Sequence, residues 1–244
     1  WVMTDESSNY VTGGDFQAAP TTYQKNIIKS DKTSAQIKMP ESGGLYRIYA
    51  YVDDGKKGGA VANLPVRVRG PVKIKPAMKA ALPVVIYDEK MHEEKYTPSG
   101  YMGSHDSLKL VADCEILPKA GKTCLKIDYD RGDEWAGVVW QSPANDWGAV
   151  DGGFDLTGGT KLTFWARGEK GGEESKFGVG LIGREQPYFD TAKKEITVKL
   201  TDQWQQFTID LSGQDRQRIK TGFYFSLAGQ GEPLTFYLDD IKFE

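Results

Sequence analysis

Residues 235–243 read TFYLDDIKF, a run rich in β-branched and aromatic side chains and without helical spacing. Such residues fit the pleated, half-buried surface of a sheet, so the run predicts a strand and, with its relatives upstream, an all-β fold. The same signature recurs at residues 45–52 (LYRIYAYV), 64–68 (LPVRV), 108–111, 124–129, 161–166, 195–200 and 205–211. Gly, Asp and Asn punctuate the gaps, as in DDGKKGG (53–59) and RGEKGGEES (167–175). No segment sustains a helical period, and residues 212–219 are expected to form one short helical turn at most. Many strands joined by turn-rich gaps predict packed antiparallel sheets.

The 244 residues suffice for one large domain or two smaller ones. A break is expected at residues 71–82, where three prolines within GPVKIKPAMKAALP (70–83) and little patterning read as a semi-stiff linker. The predicted domains are therefore 1–70 and 83–244. The first is short for a seven-stranded sandwich of about 100 residues, and WVMTDES at its start reads as an interior strand. The expectation is a first domain without its opening strands. The chain also begins at Trp1 rather than Met, as a processed or cloned fragment would after losing a targeting segment.

Composition narrows the function. The chain is 39% hydrophobic and 27% charged, with a net charge of −3 and both signs interspersed. That argues against nucleic acid or an anionic membrane as partner, since either calls for a basic patch. No apolar run approaches a membrane span, so no membrane insertion is expected. Two cysteines, Cys114 and Cys124, sit in VADCEILPKAGKTCLKI (111–127) between strand-like runs joined by a turn. The spacing suits a disulfide at the mouth of a hairpin and hence an oxidising compartment; the alternative is a pair of buried thiols.

The densest cluster of chemistry is WAGVVWQSPANDWG (135–148), which holds Trp135, Trp140 and Trp147 of only six tryptophans, with Gln141, Asn145 and Asp146. A Trp face is a flat apolar platform for the C–H face of a sugar ring, and neighbouring amides can bond the hydroxyls at the ring edge. Trp also commonly fills a core. Trp135 and Trp140 are five positions apart and project to opposite faces of a regular strand, so one of them is expected to be core. Trp147 follows Pro143 and Asn145 and is the best candidate for an exposed platform. Tyr96 and Tyr101, in a polar loop, are second-tier stacking candidates. Trp165 and Arg167 share a strand face that could hold an acidic sugar, although Arg also commonly pairs with a neighbouring acid. Trp204 is expected to cover a sheet edge.

Catalysis finds little support. The sequential Ser104-His105-Asp106 has no weight as a triad, which is defined by geometry. No HExxH cluster or phosphate loop is present. Facing carboxylates for glycoside hydrolysis require a cleft that sequence does not display.

Residues 43–69, GGLYRIYAYVDDGKKGGAVANLPVRVR, resemble the last hairpin of bacterial immunoglobulin-like modules, which often adjoin the catalytic domains of secreted polysaccharide-degrading enzymes. Residues 83–244 resemble a galactose-binding-like β-jelly-roll of the carbohydrate-binding-module type. The residues that carry this are YTPSGYMGS (96–104), the Cys pair, WAGVVWQSPANDWG, GGFDLTGGTKLTFWARGEKGG (152–172), WQQFTIDLSG (204–213) and FYLDDIKFE (236–244). The resemblance implies a structural calcium ion tying the last strand to the start of the jelly roll. Asp239 is then the ligand on the last strand and Asp88, next to Glu89, the partner; the alternative is that Asp239 and Asp240 are exposed edge charges. Together these readings give an immunoglobulin-like β-sandwich followed by a jelly roll. The expected function is a secreted, periplasmic or cell-surface bacterial module, non-catalytic, that binds a polysaccharide and concentrates an attached glycoside hydrolase on it. The rivals are a structural or adhesion module contacting protein, and a lyase or hydrolase with a shallow groove.

Overall fold

The computed structural model describes residues 1–6, 20–70 and 76–244. It divides into two compact units, Trp1–Lys75 and Pro76–Glu244.

In the first unit, β1 (Val2–Asp5), β2 (Ile27–Ser30), β3 (Ala35–Ile37), β4 (Gly44–Asp53) and β5 (Gly59–Val68) form a three-stranded sheet ordered β1-β4-β5 and a two-stranded pair β2-β3. WVMTDES does supply a strand with a buried residue, Met3. The hairpin β4–β5 pairs ten residues on each side, from Gly44↔Val68 to Asp53↔Gly59. Asp54 closes its turn by accepting the N–H groups of Lys56, Lys57 and Gly58, which is why an Asp-Gly turn suits this position.

The second unit contains β6 (Met78–Lys79), β7 (Val84–Tyr87), β8 (Thr97–Gly103), β9 (Leu108–Cys114), β10 (Cys124–Tyr129), β11 (Trp135–Gln141), β12 (Phe154–Asp155), β13 (Lys161–Gly168), β14 (Glu174–Val179), β15 (Lys194–Lys199), β16 (Gln205–Asp210), β17 (Thr221–Ala228) and β18 (Leu234–Phe243). A six-stranded sheet runs β16-β13-β18-β10-β9 with β7 also on β18, and a five-stranded sheet runs β15-β14-β17-β11-β8. Their inner faces meet in an aromatic core. Phe236 packs edge-on to Phe225 across the sandwich at 5.3 Å, and Phe164 lies 4.8 Å from Phe177. The helical turn expected at 212–219 is absent; the 3-10 turns among the described residues are Gln24–Asn26 and His105–Ser107.

The expected linker is shorter than its sequence suggested. Residues 71–75 lie outside the described residues, but 76–82 belong to the second unit. There β6 pairs in parallel with β12, and Ala80, buried, donates its N–H to the Asp155 carbonyl at 3.0 Å.

Strand β18 explains the two aspartates. Phe236 and Leu238 face the core, and so do Ile241 and Phe243, so the inward parity shifts by one residue between them. The register against β13 shifts at the same place, and Asp240 adopts φ 48°. A bulge of this kind re-aims side chains within a continuous strand.

Candidate functional site

Strand β11 is central to the five-stranded sheet and has its faces sorted by alternation. Ala136, Val138 and Trp140 enter the core, so Trp135, Gly137, Val139 and Gln141 face outward. Register then assembles two rows across this outer face. One is Met102, Gly137, Ser226, Lys176 and Thr197; the other is Gly100, Val139, Tyr224, Gly178 and Glu195.

Glycine keeps the floor low. A Cβ on Gly137 would stand 2.9 Å from the Met102 methyl and 3.2 Å from the Ser226 Cβ, and one on Gly178 would strike the Tyr224 ring at 2.2 Å. The Tyr224 ring therefore lies down over Gly178. Its hydroxyl donates to Glu195 Oε2 at 2.8 Å, and Lys176 Nζ donates to Glu195 Oε1 at 3.1 Å. These bonds hold the Glu195 carboxyl below its ordinary range, while burial and the neighbouring carboxylate push the Tyr224 phenol up. The result is a low-lying strip of the outer face, a trough with a polar flank, along which Val139 (0% exposed) and Tyr224 (2% exposed) are sealed beneath their neighbours.

Exposed tryptophans stand at the start of β11 and in the loop after it. Trp135 opens β11 and is 52% exposed. At the other end the chain turns through a cis Ser142–Pro143 bond into a loop that bears Trp147, 42% exposed. The loop is stitched to the sheet. Gln141 Nε2 donates to the Asp146 carbonyl and Ser99 Oγ to Gln141 Oε1, both at 2.9 Å, and the Asn145 N–H donates to Ser99 Oγ. Asn145 holds φ 56°, a conformation Asn tolerates better than most residues, and its side chain is exposed.

The remaining expected binding residues are placed elsewhere or otherwise engaged. Trp140 is no platform: it is fully buried against Phe223 and Phe225. Gln141 faces the trough but is buried, and both ends of its amide are used to anchor the loop. Tyr101 is 43% exposed yet pairs with core-facing Val138, so it stands at the sandwich edge beside His105 rather than in the trough. Tyr96 is buried, with its hydroxyl donating to the Ile219 carbonyl.

Trp165 and Arg167 do share a face, on the outside of the other sheet. Arg167 is nonetheless buried there, its guanidinium 3.9 Å from the Tyr237 ring centroid and bonded to the Ile116 carbonyl, so it offers no fork to a ligand. The Lys119 ammonium sits 4.3 Å over the half-buried Trp165 ring. Trp204 donates Nε1–H to the Leu117 carbonyl.

The same surface holds Cys114 and Cys124, directly opposed on β9 and β10. They are buried free thiols, so the expected disulfide is not formed in this structure. Burial, with Cys114 alongside, pushes the Cys124 thiol up to about 12 and keeps it protonated.

The residues expected to bind calcium are already engaged by hydrogen-bond donors. Asp239 Oδ2 accepts the N–H groups of Lys119 (2.9 Å) and Ala120 (3.2 Å), and Oδ1 that of Asp240 (2.8 Å). Asp88 Oδ1 is engaged by His92 Nε2 at 3.1 Å and by the Glu89 N–H. Both Asp239 oxygens and Asp88 Oδ1 thus already accept donor hydrogens. Among the described residues no group of three or more His, Cys, Asp or Glu side chains is placed to hold a metal. Asp239 is buried for a different purpose: it ties the 115–123 loop to β18, and its burial raises the carboxyl to about 6.

Lys176, Glu195, Tyr224 and Ser226 on the trough escaped the sequence reading. The signal was the alternation of SKFGV (175–179) and TGFYFSLA (221–228), in which Gly and Ser depress strand propensity.

Comparison with known proteins converges on the second unit. The model of the family described as Carbohydrate binding domain 30 matches residues 83–244. The fold resembles the family 30 carbohydrate-binding module of cellulosomal cellulase Cel9D-Cel44B of Clostridium thermocellum, at 20% identity over 67% of this chain and 98% of that one, with a TM-score of 0.46. It also resembles the family 11 module of cellulosomal cellulase Lic26A-Cel5E of the same organism, at 15% identity over 68% of this chain and 95% of that one, TM-score 0.46. No curated protein matches the sequence. Among the described residues no helix is long and apolar enough to cross a membrane.

Proposed function

Because the chain belongs to the Carbohydrate binding domain 30 family and is thus a non-catalytic carbohydrate-binding module, we propose that its glycan lies in the trough on the outer face of β8, β11, β17 and β14, spanned by Trp135 and Trp147. The observation that supports this is the pairing of two exposed tryptophans at opposite ends of β11 with a strip between them on which Gly137 lies low among the partly exposed Met102, Ser226 and Lys176. Seven strand residues rise about 20 Å at roughly 3.3 Å per step. That length takes several sugar rings in a row and favours a polymer over a free monosaccharide. The tryptophans stack on ring faces, while Lys176, Glu195 and Asn145 hydrogen-bond the hydroxyls.

The same reading makes the protein a secreted bacterial module that holds an attached polysaccharide-degrading enzyme near its substrate, a gain in effective concentration rather than chemistry. The long β4–β5 hairpin supports an immunoglobulin-like spacer for the first unit. Native affinity electrophoresis against mixed-linkage β-glucan, hydroxyethyl-cellulose, β-galactan and galactomannan tests the site. Trp135→Ala and Trp147→Ala should each weaken binding to the retained polymer about tenfold or more, equivalent to about 1.4 kcal/mol, with melting nearly unchanged. Full retention by both variants would remove the trough from consideration.

A further inference from the structure

Trp147 is 42% exposed, so burial of its ring alone does not fix the loop that carries it. Something beneath must. Lys220, just before β17, is wholly buried and points its ammonium at Asp146 and at the Val150 carbonyl (2.6 Å). Lysine is almost never fully buried unless paired, because desolvating its charge is costly. An apolar residue would fill the same space and leave Asp146 and the Val150 carbonyl without this partner.

Asp146 transmits the constraint. Its carboxylate accepts the N–H groups of Gly148 (3.1 Å), Ala149 (3.0 Å) and Val150 (3.1 Å), the residues that follow Trp147. Its own carbonyl is held by Gln141. Both flanks of Trp147 are therefore pinned to one buried ion pair. Gly148 has φ 99° and touches Ile182 and Gln186 so closely that a Cβ would lie within 2.7 Å of either. The base of the pair is rigid too: Asp190 accepts the N–H groups of Lys220, Thr221 and Ile182. Arg218 bonds Asp151 and the Gly152 carbonyl at the far end of the same loop. Burial disfavours the charged Lys220 ammonium and Asp146 opposes that effect, as expected of a pair that depends on its partner.

We propose that Lys220 is a positioning residue for glycan binding, holding the Trp147 ring in its stacking orientation through Asp146. This rests on the trough reading above.

The test is a double-mutant cycle with Lys220→Met and Trp147→Ala, read by affinity electrophoresis against whichever of the four polymers retards the parent protein most. Lys220→Met should lose about tenfold in affinity while folded, and the double variant should bind no more weakly than Trp147→Ala alone, because interacting residues are not additive. Acrylamide quenching of the fluorescence difference between the parent and Trp147→Ala reports the Trp147 ring. The corresponding difference in the Lys220→Met background should show altered quenching. A purely structural Lys220 would lower the melting temperature and leave both affinity and quenching unmoved, which overturns the proposal. So would multiplicative losses in the cycle. If Lys220→Met does not fold, Asp146→Asn enters the same cycle with the same expectations and the same refuting results. Undiminished binding by Trp147→Ala sinks the trough assignment of that ring along with the proposal. Weakened binding by Trp147→Ala with normal Lys220→Met refutes the Lys220 role alone.

Discussion

Replacing Trp140 by Ala separates a tryptophan that holds the sandwich together from the two exposed ones proposed to stack on a glycan. The Trp140 indole is fully buried, 5.3 Å from the Phe223 centroid and 6.1 Å from that of Phe225. Truncating such a side chain forfeits its transfer free energy and opens a cavity, a loss of about 3–5 kcal/mol. Among the described residues the buried Nε1–H has no hydrogen-bond partner, so no bond is lost with the ring and removing the orphan donor offsets a little of the cost. For a domain of this size each kcal/mol moves the midpoint by about 2–4 °C, giving a fall of roughly 6–20 °C. Trp140→Phe keeps an aromatic against the Phe pair and drops the orphan donor, so it should cost well under half as much. Differential scanning calorimetry supplies the midpoints, and affinity electrophoresis below the transition supplies binding. The folded Trp140→Ala protein should bind its polysaccharide as the parent does. A Trp140→Ala protein that melts like the parent but no longer binds would refute the burial argument and return this residue to the ligand surface.

Other consequences can be measured directly. The Asp239 carboxyl sits near 6 in the fold against an ordinary 3.8, so the native state holds a proton between about pH 4 and 6 that the unfolded chain has released. Its contribution is fully present below about pH 4 and is lost as pH rises through 6, with a ceiling of about 3 kcal/mol. The stability of the parent relative to Asp239→Asn should therefore increase on acidification from pH 7 to 4, and parallel denaturation curves across that range would contradict it. Because backbone N–H groups already satisfy Asp239, EDTA should leave the melting temperature unchanged; a drop restored by added calcium would show that an ion is held after all. Ellman's reagent should find two thiols in unfolded, unreduced protein and react slowly with native protein, since Cys124 stays protonated up to about pH 12. A result of no thiols until reduction would establish the bridge.

The all-β class was legible because β4, β5, β10, β13, β16 and β18 carry concentrated β-branched and aromatic residues. Strand β8 was hidden: TPSGYMG contains a proline and two glycines, tolerated because it lies at the edge of its sheet. Alternation showed that Trp135 and Trp140 must part, but which one entered the core depended on Val138 and Phe223 lying on the same side. Arg167 was misleading for a related reason. A strand pattern gives the face of a side chain, whereas the loop 115–123 that buries this face comes from fifty residues away. The Lys220–Asp146 pair spans 74 positions, and no local pattern marks it.

The two ends of the proposed trough are held by different means. Trp135 stands on a strand that is paired on both sides, opposite Ala228 and next to the residue that faces Gly103. Trp147 stands on a loop whose rigidity comes from one buried ion pair and a few backbone bonds. A polymer held across both as proposed would be gripped at one end by the sheet and at the other by a loop that one ion pair pins, so any loosening of that pair would free the Trp147 end first while the Trp135 end keeps its grip. Rebinding of the loosened segment is then faster than diffusion of the whole chain away. The residence time of a long glycan would follow the stiffness of that loop more closely than the area of either ring.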